Sequence, residues 1–219
     1  AQEVPAVRVH VAPSLAPRLG DSDFDGVPDR ATAALRVASR ALSVARNVGL
    51  GRPADDGDGE LDIYLVDLAG AARGYVSLER TAPPGRGAAG FAVIDGSEQQ
   101  PRREVLAMVA RSVGRLVYAG RDATAPSWWA EPSAVWLESR VTGPPHGAEA
   151  WLAARWNHPE RGLTVADPVL ARGNVSLIWS LDGEEGQDGL GERLLAASWD
   201  RLAQRPAGTS AFDAVNAAC

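Results

Sequence analysis

In the stretch DSDFDGVPD, Asp21, Asp23 and Asp25 alternate, Gly26 permits a sharp turn, the Val27 carbonyl can turn inward and Asp29 closes the set. Hard divalent cations take oxygen ligands, and carboxylates at these intervals match the first nine positions of a calcium loop. The twelfth position is Thr32 rather than a bidentate glutamate, so the spacing points to weak, structural calcium binding rather than a sensor. Without a cation the same residues would be a solvated acidic turn ahead of a helix N-terminus, where negative charge is favourable. A second polar loop holds Asp55, Asp56, Asp58, Glu60 and Asp62, with Asp56, Asp58 and Asp62 as candidate ligands of a second calcium ion.

Glu131 stands in PSWWAEPSAVWLE, between a tryptophan pair and an apolar run. An ionised carboxylate is costly to bury unless a metal, a cation or several donors meet it. Glu138 follows seven residues later, so the two could form a carboxylate pair on one helix face, the arrangement a glycosidase would need. Trp128, Trp129, Trp136, Trp151 and Trp156 could line a groove for peptide or glycan. Aromatic residues at helical spacing are more often core, and core is the expectation.

The elements that must position these residues follow from periodicity. VRVHV reads as a short strand, and Leu35, Ala38, Leu42, Ala45 and Val48 recur at helical spacing until Gly49. LDIYLVDL, GYVSLE and GFAVID read as three further strands, and RTAPPGRGAAG as a surface loop between the last two. From Glu104, Val105, Val109, Val113, Leu116 and Val117 line one face of a second helix. Everything after residue 126 reads as helices and loops. The 219 residues, 45% hydrophobic, suit one domain made of an α/β lobe (1–125) and a helical lobe (126–219).

All 22 basic residues are arginine and the formal net charge is −6, which disfavours nucleic acid as a partner. No apolar run approaches the roughly 20 residues that cross a bilayer, so no membrane insertion is expected. The start AQEVPAV suits a mature terminus left by signal-peptide cleavage. The only cysteine is Cys219, so no internal disulfide or thiolate cluster forms.

DSDFDGVPD before a helix, GDGELDIYLVDL, GFAVID, a long helix and PSWWAEPSAVWLESRV together resemble a family of secreted bacterial metalloproteases of the gluzincin type, over most of residues 20 to 215. The resemblance implies an α+β, zincin-like fold: a small mixed sheet with helices, packed on a mostly helical C-terminal lobe. In such enzymes the long helix carries H-E-x-x-H, whose histidines bind zinc while the glutamate activates water, and a glutamate on the next helix is the third ligand. Glu131 matches that last place. Here the helix reads REVLAMVARSVGRLVYAG, which sets Ala110, Arg111 and Gly114 where the first histidine, the catalytic glutamate and the second histidine would stand.

Alanine and glycine offer zinc no electron pair, and a guanidinium repels it. Residues 104–120 contain no histidine, and His10, His146 and His158 lie in segments that read as strand or loop. Zinc and catalysis are therefore not expected. The resemblance then implies a catalytically degenerate, calcium-stabilised, secreted or cell-surface protein that binds or scaffolds a protein, peptide or glycan. Two alternatives remain open: an active hydrolase using non-standard metal ligands or Glu131 with Glu138, and a structural module of a larger surface protein. For Glu131 the expectation is either an ion pair with Arg111 across the old cleft, or a place at the helix start with Pro132 as first helical residue.

Overall fold

Alternation in ELDIYLV builds strand β2 (Glu60–Val66), whose Leu61, Ile63 and Leu65 are buried while Glu60, Asp62 and Tyr64 on the other face are half-buried. One face of a sheet is thus apolar and must be covered. The computed structural model describes residues 6–79, 86–145, 147–182, 189–206 and 209–218. The opening AQEVP, residues 80–85 of the RTAPPGRGAAG loop, His146 and Cys219 lie outside the described residues.

The sheet has four strands in the order β1-β2-β4-β3. Strand β1 (Ala6–Val11) runs parallel to β2, β2 runs parallel to β4 (Gly90–Asp95), and β3 (Gly74–Leu78) lies antiparallel to β4 at the edge. Helix α1 (Asp29–Asn47) links β1 to β2, and helix α2 (Arg102–Ala119) follows β4. This is a mixed α+β arrangement, with strands and helices in the order that the periodicity predicts.

Helix α1 buries Ala31, Ala34, Ala38, Ala41, Leu42 and Ala45, a stripe of small side chains that lets its backbone come close to β1 and α2. Leu35, expected on that face, is 40% exposed, because the alanines at 34 and 38 take the contact and leave the bulkier side chain at the rim. Helix α2 buries Val105, Val109, Val113, Leu116 and Val117 as expected. It also buries Ala110, Arg111, Ser112 and Gly114, because helix α3 (Ser127–Thr142) covers its other side.

Beyond α3 come α4 (Ala148–Asn157), α5 (Pro168–Gly173), α6 (Val175–Asp182), α7 (Leu190–Gln204) and α8 (Ala211–Asn216). Trp128, Trp129 and Trp136 of α3 are core residues, as expected, and Trp199 of α7 stacks on Tyr118 of α2 at 4.5 Å. Three of the buried indoles find acceptors: Trp129 donates to Ser198 at 3.0 Å, Trp136 to Asp182 at 3.0 Å and Trp199 to Ser133 at 3.2 Å. Among the described residues no helix is long and apolar enough to cross a membrane.

Candidate functional site

Helix α3 carries both candidate carboxylates, and its first turn explains where they point. Pro126 is the residue before the helix, and its carbonyl accepts from Trp129 and Ala130 at 3.0 Å each. Pro132 therefore lies inside α3 rather than at its start, so Glu131 does not open the helix. A proline at 132 has no N–H for the carbonyl of Trp128. The side-chain amide of Asn174, between α5 and α6, donates to that carbonyl at 3.2 Å instead. The substitution of one donor for another fixes the α5–α6 junction against α3.

Glu131 faces two guanidiniums. Its Oε2 accepts from Arg115 at 2.7 Å and from Arg172 of α5 at 3.1 Å. Arg111 instead holds Glu138, with Nε to Oε2 at 2.6 Å. The expected Arg111–Glu131 pair is thus replaced by two interleaved ones. The reason is helical geometry: Arg111 and Arg115 are four residues apart, one turn of α2, and each meets a different turn of α3.

The two carboxylates differ in environment. Burial alone would push Glu131 up, but the charge and hydrogen bonds of Arg115, then of Arg172, outweigh it and hold the carboxyl below its usual range. For Glu138, which has no exposed surface, burial dominates and Arg111 offsets it only in part, so this carboxyl is pushed up. Its Oε1 is buried without a hydrogen-bond partner. A raised carboxyl can be a general acid, but only where substrate can reach it, and Glu138 is sealed.

The shifts work on stability in opposite senses. Unfolded Glu131 takes up a proton near 4.5 and the folded carboxyl does so lower, so its stabilisation is complete above that pH and is lost as pH falls through the folded value. Glu138 in the folded chain takes up its proton first, so its ionisation penalises the native state above the same range. Glu131→Gln is therefore expected to lower stability at neutral pH and to flatten the loss of stability below pH 4.5, read by urea unfolding across the acid range. An unchanged acid slope in the variant would show that the Arg115 and Arg172 contacts carry no such linkage.

In front of Arg111 and Arg172 lies a cleft of about 440 Å³, bounded by the start of β3 and by α2, α4 and α5, with Arg73, Glu104, Met108 and Trp151 on its walls. The Arg111 guanidinium stacks 4.6 Å from the centroid of the Trp151 ring, and Arg172 lies over the same ring at 5.6 Å. Trp151 is thus the one of the five tryptophans named for a groove that lines this cleft, while Trp156 is 68% exposed. Arg73 pairs with Glu104 at the rim. Gly173 keeps α5 in place, since a Cβ there would come within 2.6 Å of the Trp151 carbonyl oxygen and 2.7 Å of the Arg155 Cβ.

Ala110 and Gly114 do not face this cleft. Ala110 is fully buried, and a Cβ on Gly114 would lie 3.2 Å from the Ala134 Cα and 3.3 Å from a Leu137 methyl. Gly114 thus sits at the seam between α2 and α3, whereas Arg111 shares the cleft face of α2 with Glu104 and Met108. His10 is on β1, bonded to Asp62 at 2.7 Å and stacked on Tyr64 at 4.4 Å, and the half-exposed His158 lies 3.2 Å from Glu160. Neither contacts Glu131.

Searches of protein-family models, curated proteins and solved structures return no match.

The acidic loops are gathered as far as their first members. Carboxylate oxygens of Asp21, Asp23 and Asp25 lie within 4.8 Å of one another. Gly26, at φ +84°, donates to Asp21 at 3.0 Å, and Val27 donates to Asp25 at 2.7 Å. Asp29 is not part of that group: it begins α1 and accepts from the Ser22 amide at 3.2 Å. In the second loop the convergent set is Asp55, Asp56 and Asp58. Asp62 is drawn away because it belongs to β2, where strand pairing sets it opposite Arg8 and its side chain meets His10.

Sequence reasoning missed Arg115 and Arg172. Two arginines a turn apart on an otherwise apolar helix, with two glutamates two turns apart on the next, are a legible signal for the first. Nothing in the surroundings of Arg172 marks it.

Proposed function

We propose that this protein is a non-catalytic binding module with a zincin-like arrangement, stabilised by calcium and acting outside the cell. The observation that carries the reading is that both carboxylates of α3 are matched by arginine, which does electrostatically what a metal would do for Glu131. The side chains facing the cleft supply cations, one carboxylate and an indole, a set suited to holding a ligand rather than to activating water. The metal test is direct: one zinc per purified chain together with chelator-sensitive peptide cleavage would overturn the reading.

Calcium is the cation proposed for Asp21, Asp23 and Asp25, with Asp55, Asp56 and Asp58 as a second group. The residues fit such an ion, since Asp21 Oδ1 is buried without a hydrogen-bond partner and is ready to ligate. An ion that binds only the folded chain raises its apparent stability. Excess calcium is expected to raise the Tm relative to excess chelator, and Asp23→Asn with Asp25→Asn to abolish the difference. Equal Tm values for the unsubstituted chain in both conditions would remove calcium from the proposal.

A further inference from the structure

We propose that the cleft between β3 and helices α2, α4 and α5 binds a small organic anion, a carboxylate or a phosphate monoester, whose oxyanion is gripped by Arg111 and Arg172 and whose apolar body lies against Met108 and Trp151. The inference rests on the reading of this cleft as a binding site and names the chemistry of its ligand.

Four observations converge on it. The first is unused donors. Among the described residues Glu138 is the only hydrogen-bond partner of Arg111, and Glu131 the only one of Arg172, each through Nε. The terminal Nη groups of both therefore keep donors free, although the Arg111 side chain is only 8% exposed. A guanidinium anchored through Nε is held in one plane and presents its remaining fork for bidentate contact with an oxyanion.

The second is charge. Arg111, Arg115 and Arg172 face Glu131 and Glu138, three cations to two anions, and the rim pair of Arg73 with Glu104 adds nothing net. One positive charge is left over in a half-enclosed site on a chain whose formal net charge is −6. A walled cleft of opposite sign to its surroundings focuses the field and collects anions.

The third is crowding. Two guanidiniums lie within 6 Å of one indole centroid, at 4.6 and 5.6 Å. Each is attracted to the ring, but each repels the other, and an anion between them relieves that repulsion. The fourth is size: about 440 Å³ falls within the range of about 300–1,000 Å³ usual for small-molecule sites. Met108 and the two alanines of the lining, Ala107 and Ala150, give the space an apolar floor.

The experiment is calorimetric titration of the full chain, in phosphate-free buffer at low ionic strength, with phenyl phosphate, benzoate, inorganic phosphate and the neutral isostere benzamide. Saturable binding of phenyl phosphate or benzoate, at least about tenfold tighter than benzamide and weakening with added salt, is the expected result. Phenyl phosphate ahead of benzoate assigns a phosphate monoester as the source of the oxyanion, and the reverse order assigns a carboxylate. Inorganic phosphate is expected to bind more weakly than phenyl phosphate, because it lacks the apolar body. Arg172→Gln should weaken the preferred anion at least about tenfold, since a bond to a charged group is lost. The paired variant Arg111→Met with Glu138→Leu, which removes one cation and one anion together, should do the same while keeping the native circular dichroism.

Equal affinity for benzamide, or no saturable binding of either anion, overturns the inference on the unsubstituted protein, whatever the variants do. A zinc-free protein that binds neither anion overturns this inference alone. Stoichiometric zinc with cleavage overturns the reading beneath it.

Discussion

Glu138→Leu is expected to destabilise the protein by about 3–5 kcal/mol, because it strands the Arg111 guanidinium beneath the cleft without a counter-charge. Arg111→Met should cost a similar amount, since it leaves a carboxylate with no exposed surface and one oxygen already unpartnered. Combining the two should recover most of the loss. An apolar pair of similar volume has no desolvation to offset, and exchanges of this kind are often neutral or stabilising by about 1–4 kcal/mol. Urea unfolding of the four proteins closes the cycle, and the coupling between the two sites should exceed about 2 kcal/mol. Additive losses would mean that the 2.6 Å contact does not carry the energy assigned to it. A loss of this size is a large share of the roughly 5–15 kcal/mol by which single domains are stable.

Placing an H-E-x-x-H zinc motif on α2, as Ala110→His, Arg111→Glu and Gly114→His together, is expected to yield a chain that unfolds or is severely destabilised and takes up no stoichiometric zinc. The obstacle is steric before it is chemical. At Gly114 a Cβ alone would sit 3.2 Å from Ala134 Cα and 3.3 Å from a Leu137 methyl, so an imidazole must wedge α3 away from α2. Overpacking by a few methylenes costs about 1–3 kcal/mol, and the ring is larger than that. Arg111→Glu adds a second buried carboxylate beside Glu138 in place of the guanidinium that pairs with it directly. Gly114→Ala isolates the packing part, with an expected cost of about 1–2 kcal/mol that overrides the roughly 1 kcal/mol alanine gains in helix propensity. A folded triple variant holding one zinc per chain would show that the seam between the helices opens.

Most of the scaffold could be read from periodicity. The β2 alternation and the valines of α2 each state a face, and the structure buries those faces. Leu35 misled because an apolar residue at the right interval is not bound to be the contact residue when alanines beside it allow closer approach. Glu131 was legible as an occupied carboxylate, but its partner was not. Pairing depends on how α2 and α3 slide along one another, and a one-turn difference exchanges Arg111 for Arg115. Arg172 reaches the site from 41 residues away across two loops, a distance no local pattern encodes. The aspartates failed in a similar way: spacing gathers neighbours such as Asp21, Asp23 and Asp25, but Asp62 answers to its strand before it answers to its loop.

Pro132 has a consequence for the order in which the chain assembles. Ordinary helical carbonyls are satisfied four residues on, but the carbonyl of Trp128 waits for an amide 46 positions away. A bond within a helix forms on the timescale of local chain motion, whereas one that closes so long a loop must await chain diffusion. The first turn of α3 is therefore sealed only when Asn174 arrives, bringing Arg172 with it. The contact of Arg172 with Glu131 is accordingly tied to the same long-range closure, 41 positions along the chain.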